Sequence, residues 1–144
     1  MTFLRQERWC VADLSCSCEA TFEGVRLLAE QLRDWCEQEG MPQVARMDLE
    51  LALVEAANNV VCHGYAGAGQ GILQLQARKV PGGVELALTD QGTPIPAERL
   101  HSIHNPALDS ESGRGLALIA ACTDRLDYTE GREGNRLVLF KAIA

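Results

Sequence analysis

Apolar residues recur along residues 21–39 at intervals of three and four. Phe22, Val25, Leu28, Ala29, Leu32, Trp35 and Cys36 fall on one side of a chain wound as a helix. An amphipathic helix is expected there, stopped by Gly40 and Pro42. The same spacing returns over 44–63, where Met47, Leu51, Val54, Ala57, Val60 and Val61 supply a stripe and Gly64 an end. Past the glycine-rich run 64–71 the pattern turns strand-like. Residues 72–80 and 84–90, joined by Pro81-Gly82-Gly83, predict a hairpin. A helix over 115–123 is then followed by strands at 125–129 and 136–141, across a turn between Gly131 and Gly134. Residues 4–13 mix charged and β-forming side chains and are read as an edge strand.

The predicted order is therefore β-α-α-β-β, a long loop, then α-β-β. Consecutive hairpins call for a mostly antiparallel sheet with helices on one face, a two-layer α+β sandwich. The alternating βαβ units of a Rossmann sheet are missing from the pattern. No repeat, low-complexity tract or long linker divides the 144 residues, so one domain spanning 1–144 is expected. The loop over 91–113 holds three prolines and offers only a short helical stretch near 97–103. A loop of that length in a small domain usually carries function.

Composition narrows the class. A hydrophobic share of 47% with 23% charged residues is that of a folded globular chain. No apolar run reaches the ~20 residues of a membrane span, and the start Met1-Thr-Phe-Leu-Arg-Gln-Glu-Arg has no apolar signal segment. Cytoplasm is the expected compartment, with no membrane partner. The formal charge of −7 argues against direct nucleic-acid binding, which depends on Lys and Arg displacing counterions. It suits a protein partner with basic patches. The six cysteines are scattered, and Cys16-Ser17-Cys18 has no second thiol pair at metal-ligand spacing, so free, mostly buried thiols are expected. His101-x-x-His104 beside Pro106 is read as loop rather than as a metal site.

Three polar clusters stand out. In Glu55-Ala-Ala-Asn58-Asn59-Val-Val-Cys-His63-Gly64-Tyr65 a carboxylate, an amide and an imidazole are spaced by four. On a helix they would form one stripe, and the apolar residues around them suggest that it borders a cleft rather than open solvent. Asp90-Gln-Gly92-Thr-Pro94 follows a predicted strand end, where a plain turn is the bland alternative. Ser112-Gly113-Arg114-Gly115-Leu116 opens a predicted helix, where glycines let backbone N–H groups approach an anion.

Taken in this order, the three clusters and the later Gly134-Asn-Arg-Leu-Val-Leu-Phe-Lys141 resemble the N, G1 and G2 boxes of the GHKL (Bergerat-fold) ATPase and kinase superfamily. The version here looks like the anti-sigma serine/threonine kinases of bacterial partner switching, over roughly residues 20–141. That resemblance implies ATP and Mg²⁺ as cofactors. Asn59 would help hold Mg²⁺ on the triphosphate, and Glu55 would be the base that accepts the proton of an attacking serine. His63 would be a binding or packing residue of the site. Asp90 would accept a hydrogen bond from the adenine amino group, with Gly92 leaving room for the base. Gly113, Arg114 and Gly115 would face the phosphates, and residues 93–112 would be a mobile lid.

By the same resemblance the partners would be a sigma factor, held inactive, and a small STAS-type anti-anti-sigma protein, phosphorylated on serine or threonine. A homodimer would be allowed by an exposed edge strand. Two positions depart from the family pattern: Pro94 stands where a second glycine is common, and Val138 where threonine is common. A non-catalytic module that uses nucleotide only to order its lid is the main alternative. The catalytic half of a sensor histidine kinase is a second.

Overall fold

In a computed structural model the structure describes residues 13–67, 70–101 and 111–143, with the side chains of His101 and residues 111–114 left out. Its elements run β1 Leu14–Glu19, α1 Phe22–Gln38, α2 Gln43–Asn59, a π-turn Val60–Gly64, β2 Ile72–Val80, β3 Gly83–Asp90, α3 Ala97–His101, α4 Glu111–Cys122, β4 Arg125–Gly131 and β5 Gly134–Ala142. The strands form one five-stranded sheet in the order β1-β2-β3-β5-β4, with every neighbouring pair antiparallel. The two-layer α+β architecture expected from the hairpin pattern is the one observed.

The helix boundaries follow from local chemistry. Thr21 caps α1, its hydroxyl accepting the N–H of Gly24 at 2.9 Å. At the other end Gly40 takes φ 69°, and the Met41 and Gly40 N–H groups close on the carbonyls of Cys36 and Glu37. That is a Schellman closure, with Met41 and Cys36 both buried in the core beneath it. The buried face of α1 carries Val25, Leu28, Ala29, Leu32, Trp35 and Cys36, as its spacing predicts; Phe22, the first residue of the stripe, is exposed.

Two sequence expectations need correction. In α2 the buried residues are Ala45, Leu49, Ala52, Leu53, Ala56 and Ala57, whereas Met47 and Leu51 face solvent. Small alanines let this central helix pack closely, which leaves the bulkier stripe on the outside. An edge strand is observed at Leu14–Glu19; of the strand expected over 4–13, all but Asp13 lies outside the described residues. There Leu14, Cys16 and Cys18 alternate with the exposed Ser15, Ser17 and Glu19. Second, α4 begins at Glu111, four residues ahead of the expected start; the short helical stretch expected near 97–103 is seen at Ala97–His101.

The core lies between the helices and the inward residues of the sheet, among them Leu73, Leu75, Ala77, Val84, Leu86, Leu88, Leu137 and Leu139. Arg33 grips Glu50 through two bonds of 2.9 and 2.8 Å across α1 and α2, and Lys141 meets Asp48 at 2.9 Å. Cys16, Cys18, Cys36, Cys62 and Cys122 are free. Burial pushes the thiols of Cys18 and Cys36 up to about 11, so both stay protonated and unreactive near neutrality. No helix among the described residues is long and apolar enough to cross a membrane.

Candidate functional site

The site forms where α2 runs out beside the sheet. After Asn59 the helix widens into the π-turn, whose closing Tyr65 N–H reaches the Val60 carbonyl at 2.9 Å. Such widened turns often mark functional positions because they re-aim side chains. Here the turn brings the Gly64 carbonyl against the chain leaving β3. Thr93 N–H donates to it at 2.7 Å, and a Cβ on Gly92 would stand 2.5 Å from the same oxygen. No side chain fits there, so glycine at position 92 is imposed by backbone on both sides.

Asn59, His63 and Asp90 line one cavity, together with Leu88, Leu116, Leu137 and Tyr128. Glu55 sits one turn before Asn59. A Cβ on Gly115 would lie 3.5 Å from Glu55 Oε2 and 3.3 Å from Asn59 Nδ2. Gly115 therefore leaves a narrow space in which the carboxylate and the amide face α4. Asn59 Nδ2 is buried and makes no hydrogen bond among the described residues. A buried amide nitrogen with no acceptor is costly unless a ligand completes it.

The first turn of α4 carries Gly113 and Arg114. By position the N–H of Gly113 is among those with no acceptor inside the helix, whereas Gly115 lies past them. What Gly115 visibly contributes is room. His63, in the π-turn rather than on the α-helix, is exposed at the cavity rim.

Asp90, only 6% exposed, closes the opposite wall. Its Oδ1 accepts from Gly92 N at 2.8 Å and from Asn135 Nδ2 at 2.9 Å. Its other oxygen takes no hydrogen bond among the described residues. Thr93, Pro94, Ile95 and Pro96 also line the cavity, whose volume is about 40 Å³. That is room for a few water-sized spheres and far too little for a purine. Tyr128 helps hold this segment in place, its hydroxyl accepting the Ile95 N–H at 3.0 Å. Burial pushes the Tyr128 phenol up, against the pull of that N–H, and the Asp90 and Glu130 carboxylates add to the rise.

The family model for the histidine kinase-like ATPase domain matches residues 18–141. The chain belongs to that family. Its GHKL-type fold agrees with the resemblance carried by the three motifs. No curated protein matches the chain at a significant level. Among solved structures, the SiaB-SiaC complex from Pseudomonas aeruginosa aligns with a TM-score of 0.67 at 14% identity, over 99% of this chain and 96% of that one. The RsbU and RsbW domains of Rv1364c from Mycobacterium tuberculosis align at 0.64 and 22% identity, over 90% of this chain. This chain spans only 32% of that protein. The catalytic domain of histidine kinase ThkA aligns at 0.57 and 12% identity, covering 90% and 98%. At these identities the likeness is one of fold.

The sequence reading marks Val138 as a departure that would remove one polar contact near the nucleotide. Val138 alternates with the cavity-lining Leu137 and so projects from the other face of β5. The polar contact is made three residues earlier, by Asn135, buried at 3% exposure. Its signal in the sequence was its place directly after the Gly134 turn, opposite Asp90 once the hairpins are put in register. Tyr128 and Leu116 were missed as well, because single aromatic and leucine residues on a strand and a helix read as core.

Proposed function

We propose that this domain is an ATP- and Mg²⁺-dependent protein serine/threonine kinase that also acts as an anti-sigma factor. Its substrate would be a STAS-type anti-anti-sigma protein. The observation that carries the reading is the convergence of Glu55 and Asn59 at the space kept by Gly115, beside the cavity lined by Asp90. One carboxylate free of partners among the described residues, one unsatisfied amide and one buried carboxylate on the cavity wall would serve such a reaction.

The residues present suit Mg²⁺ and a triphosphate. Among the described residues no group of three or more His, Cys, Asp and Glu forms a ready-made cage. Mg²⁺ is commonly held by one or two protein ligands plus substrate phosphates, so Asn59 would supply the protein share. Bound there, the ion would neutralise charge on the phosphates. Gly113 and Arg114, at the start of α4, would face the same phosphates. Asp90 would orient the base, and the apolar wall of Leu88, Leu116, Ile119 and Leu137 would exclude water from it.

In the transfer step a serine Oγ forms a bond to the γ-phosphorus as the bond to the β–γ bridging oxygen breaks, and ADP departs. Glu55 takes the serine proton. The phosphoserine product carries roughly −1.5 to −2 charges, which would expel it from an interface with an acidic protein. Incubating the protein with γ-labelled ATP, Mg²⁺ and a candidate STAS protein should move label to serine or threonine. Nucleotide binding with no transfer to any such partner would favour the non-catalytic module instead.

The small volume of the cavity gives a second expectation. A purine would enter only after 94–96 withdraw, while the phosphates would give the start of α4 a ligand. Saturating Mg·ATP should therefore change amide exchange over residues 93–101 and 111–115 by about tenfold or more, while β2 and β3 stay unchanged. Uniform exchange with and without nucleotide would count against a lid.

A protein substrate also needs a seat. Val44, Met47 and Leu51 are exposed along the outer face of α2, and Glu55 lies one turn beyond Leu51. The charged neighbours Arg46, Asp48 and Glu50 are engaged with Glu37, Lys141 and Arg33. The stripe is thus apolar and leads to the carboxylate. A STAS-type substrate seated on it would deliver its hydroxyl there. Met47→Asp should raise the KM for that substrate by about tenfold and leave ATP affinity unaltered. A change in ATP affinity with KM intact would remove α2 from the docking surface.

A further inference from the structure

We infer that Asn135 is a positioning residue for base selection: it holds the plane of the Asp90 carboxylate so that one oxygen faces the cavity, and it ties the root of the lid to that orientation. This rests on the nucleotide reading of the site given above. In the β3–β5 register Asp90 stands directly opposite Asn135. The Asn135 amide nitrogen donates one hydrogen to Asp90 Oδ1 at 2.9 Å and the other to the Gly92 carbonyl at 2.8 Å. A primary amide has two such hydrogens, so this nitrogen has none left for a ligand. Asn135 acts through its neighbours.

The consequence for Asp90 is directional. Oδ1 receives two donors, Gly92 N–H and the Asn135 amide, while Oδ2 receives none among the described residues. Tilting the carboxylate out of this plane would break two charge-assisted bonds in a buried setting, so its orientation is held. One acceptor with a fixed direction is presented to the cavity. It favours a ring carrying an exocyclic N–H donor and disfavours one with a carbonyl oxygen at that point, where two acceptors would oppose each other.

The second hydrogen of Asn135 extends this hold to the chain that leaves the strand. Gly92 is held at its N–H by Asp90 and at its carbonyl by Asn135, and Thr93 N–H is held by Gly64. The residues that carry the base contact and those that anchor the lid therefore share one network. Movement of the lid is confined to residues beyond Thr93.

The test compares ATP with purine riboside triphosphate, which lacks the 6-amino group, by calorimetry on the parent, Asn135→Ala and Asn135→Thr. The parent should prefer ATP by about 10–100-fold, the worth of one charge-assisted hydrogen bond. Asn135→Ala should cut that preference to about threefold or less, through weaker ATP binding, with the amino-less nucleotide nearly unaffected. Asn135→Thr keeps one hydroxyl donor and should fall between. Should the alanine variant not fold by circular dichroism, the threonine variant is read in the same way. Equal loss for both nucleotides would mark Asn135 as purely structural and overturn the inference, as would an unchanged preference. A parent that binds both nucleotides alike would overturn the adenine reading itself, and the inference with it.

Discussion

Glu55→Gln should slow phosphate transfer by about 10²–10⁴-fold while leaving Mg·ATP affinity within about threefold of the parent. Glutamine keeps the size and much of the polarity of the side chain, so the space beside Gly115 stays filled. It cannot take the serine proton. Asp90, Asn135 and Asn59 are untouched, and none of them hydrogen-bonds to Glu55 in the structure, so the binding half of the site has no reason to change. Much of phosphoryl transfer is positioning and charge stabilisation, which places the expected loss toward the lower end of that range. Asn59→Ala gives the contrasting pattern, with Mg²⁺-dependent binding and transfer falling together. Single-turnover transfer at saturating Mg·ATP separates the two. A Glu55→Gln protein that transfers at the parental rate would show that the carboxylate is not the base.

Much of this arrangement was legible before the fold was known, and the reasons differ by element. The α1 stripe and both hairpins were readable because one face of each is buried and the other wet, so periodicity reports the core directly. Helix α2 misled because it is apolar on two sides. Its packed face is built from alanines with Leu49 and Leu53, while Met47 and Leu51 lie outside. Periodicity detects a contrast with solvent, and here the larger residues sit on the solvent side.

Glu55, Asn59 and Asp90 could be singled out because such polar residues recur at fixed places in motifs. Asn135 was not, since its importance depends on a strand register joining residues 45 apart in sequence. Counting inward positions along β5 from the buried Leu137 and Leu139 leads to Asn135 and away from Val138. The lining of the cavity by 93–96 could not be read at all. It depends on where Tyr128 and Gly64 meet the lid backbone, and neither carries a sequence signature for that contact.

Asp90→Asn should weaken ATP binding by about 10–100-fold, and the surrounding hydrogen bonds predict more than a simple loss. The position of Oδ1 receives two donors, from Gly92 N–H and from the Asn135 amide. An asparagine at 90 will satisfy them only by placing its carbonyl oxygen there. Its NH₂ group is then forced into the cavity, where the adenine amino group would also be a donor. Flipping the amide would set its NH₂ against two buried donors, which is worse. The variant is therefore locked in the unfavourable orientation for adenine and in the favourable one for a 6-oxo purine. Inosine triphosphate should lose little affinity or gain some, so the ratio of ATP to inosine triphosphate affinity should fall by more than ATP affinity alone. Calorimetry with both nucleotides on parent and variant measures that ratio. If both bind equally before and after the substitution, Asp90 does not read the base, and its buried pairing with Asn135 serves only the turn into the lid.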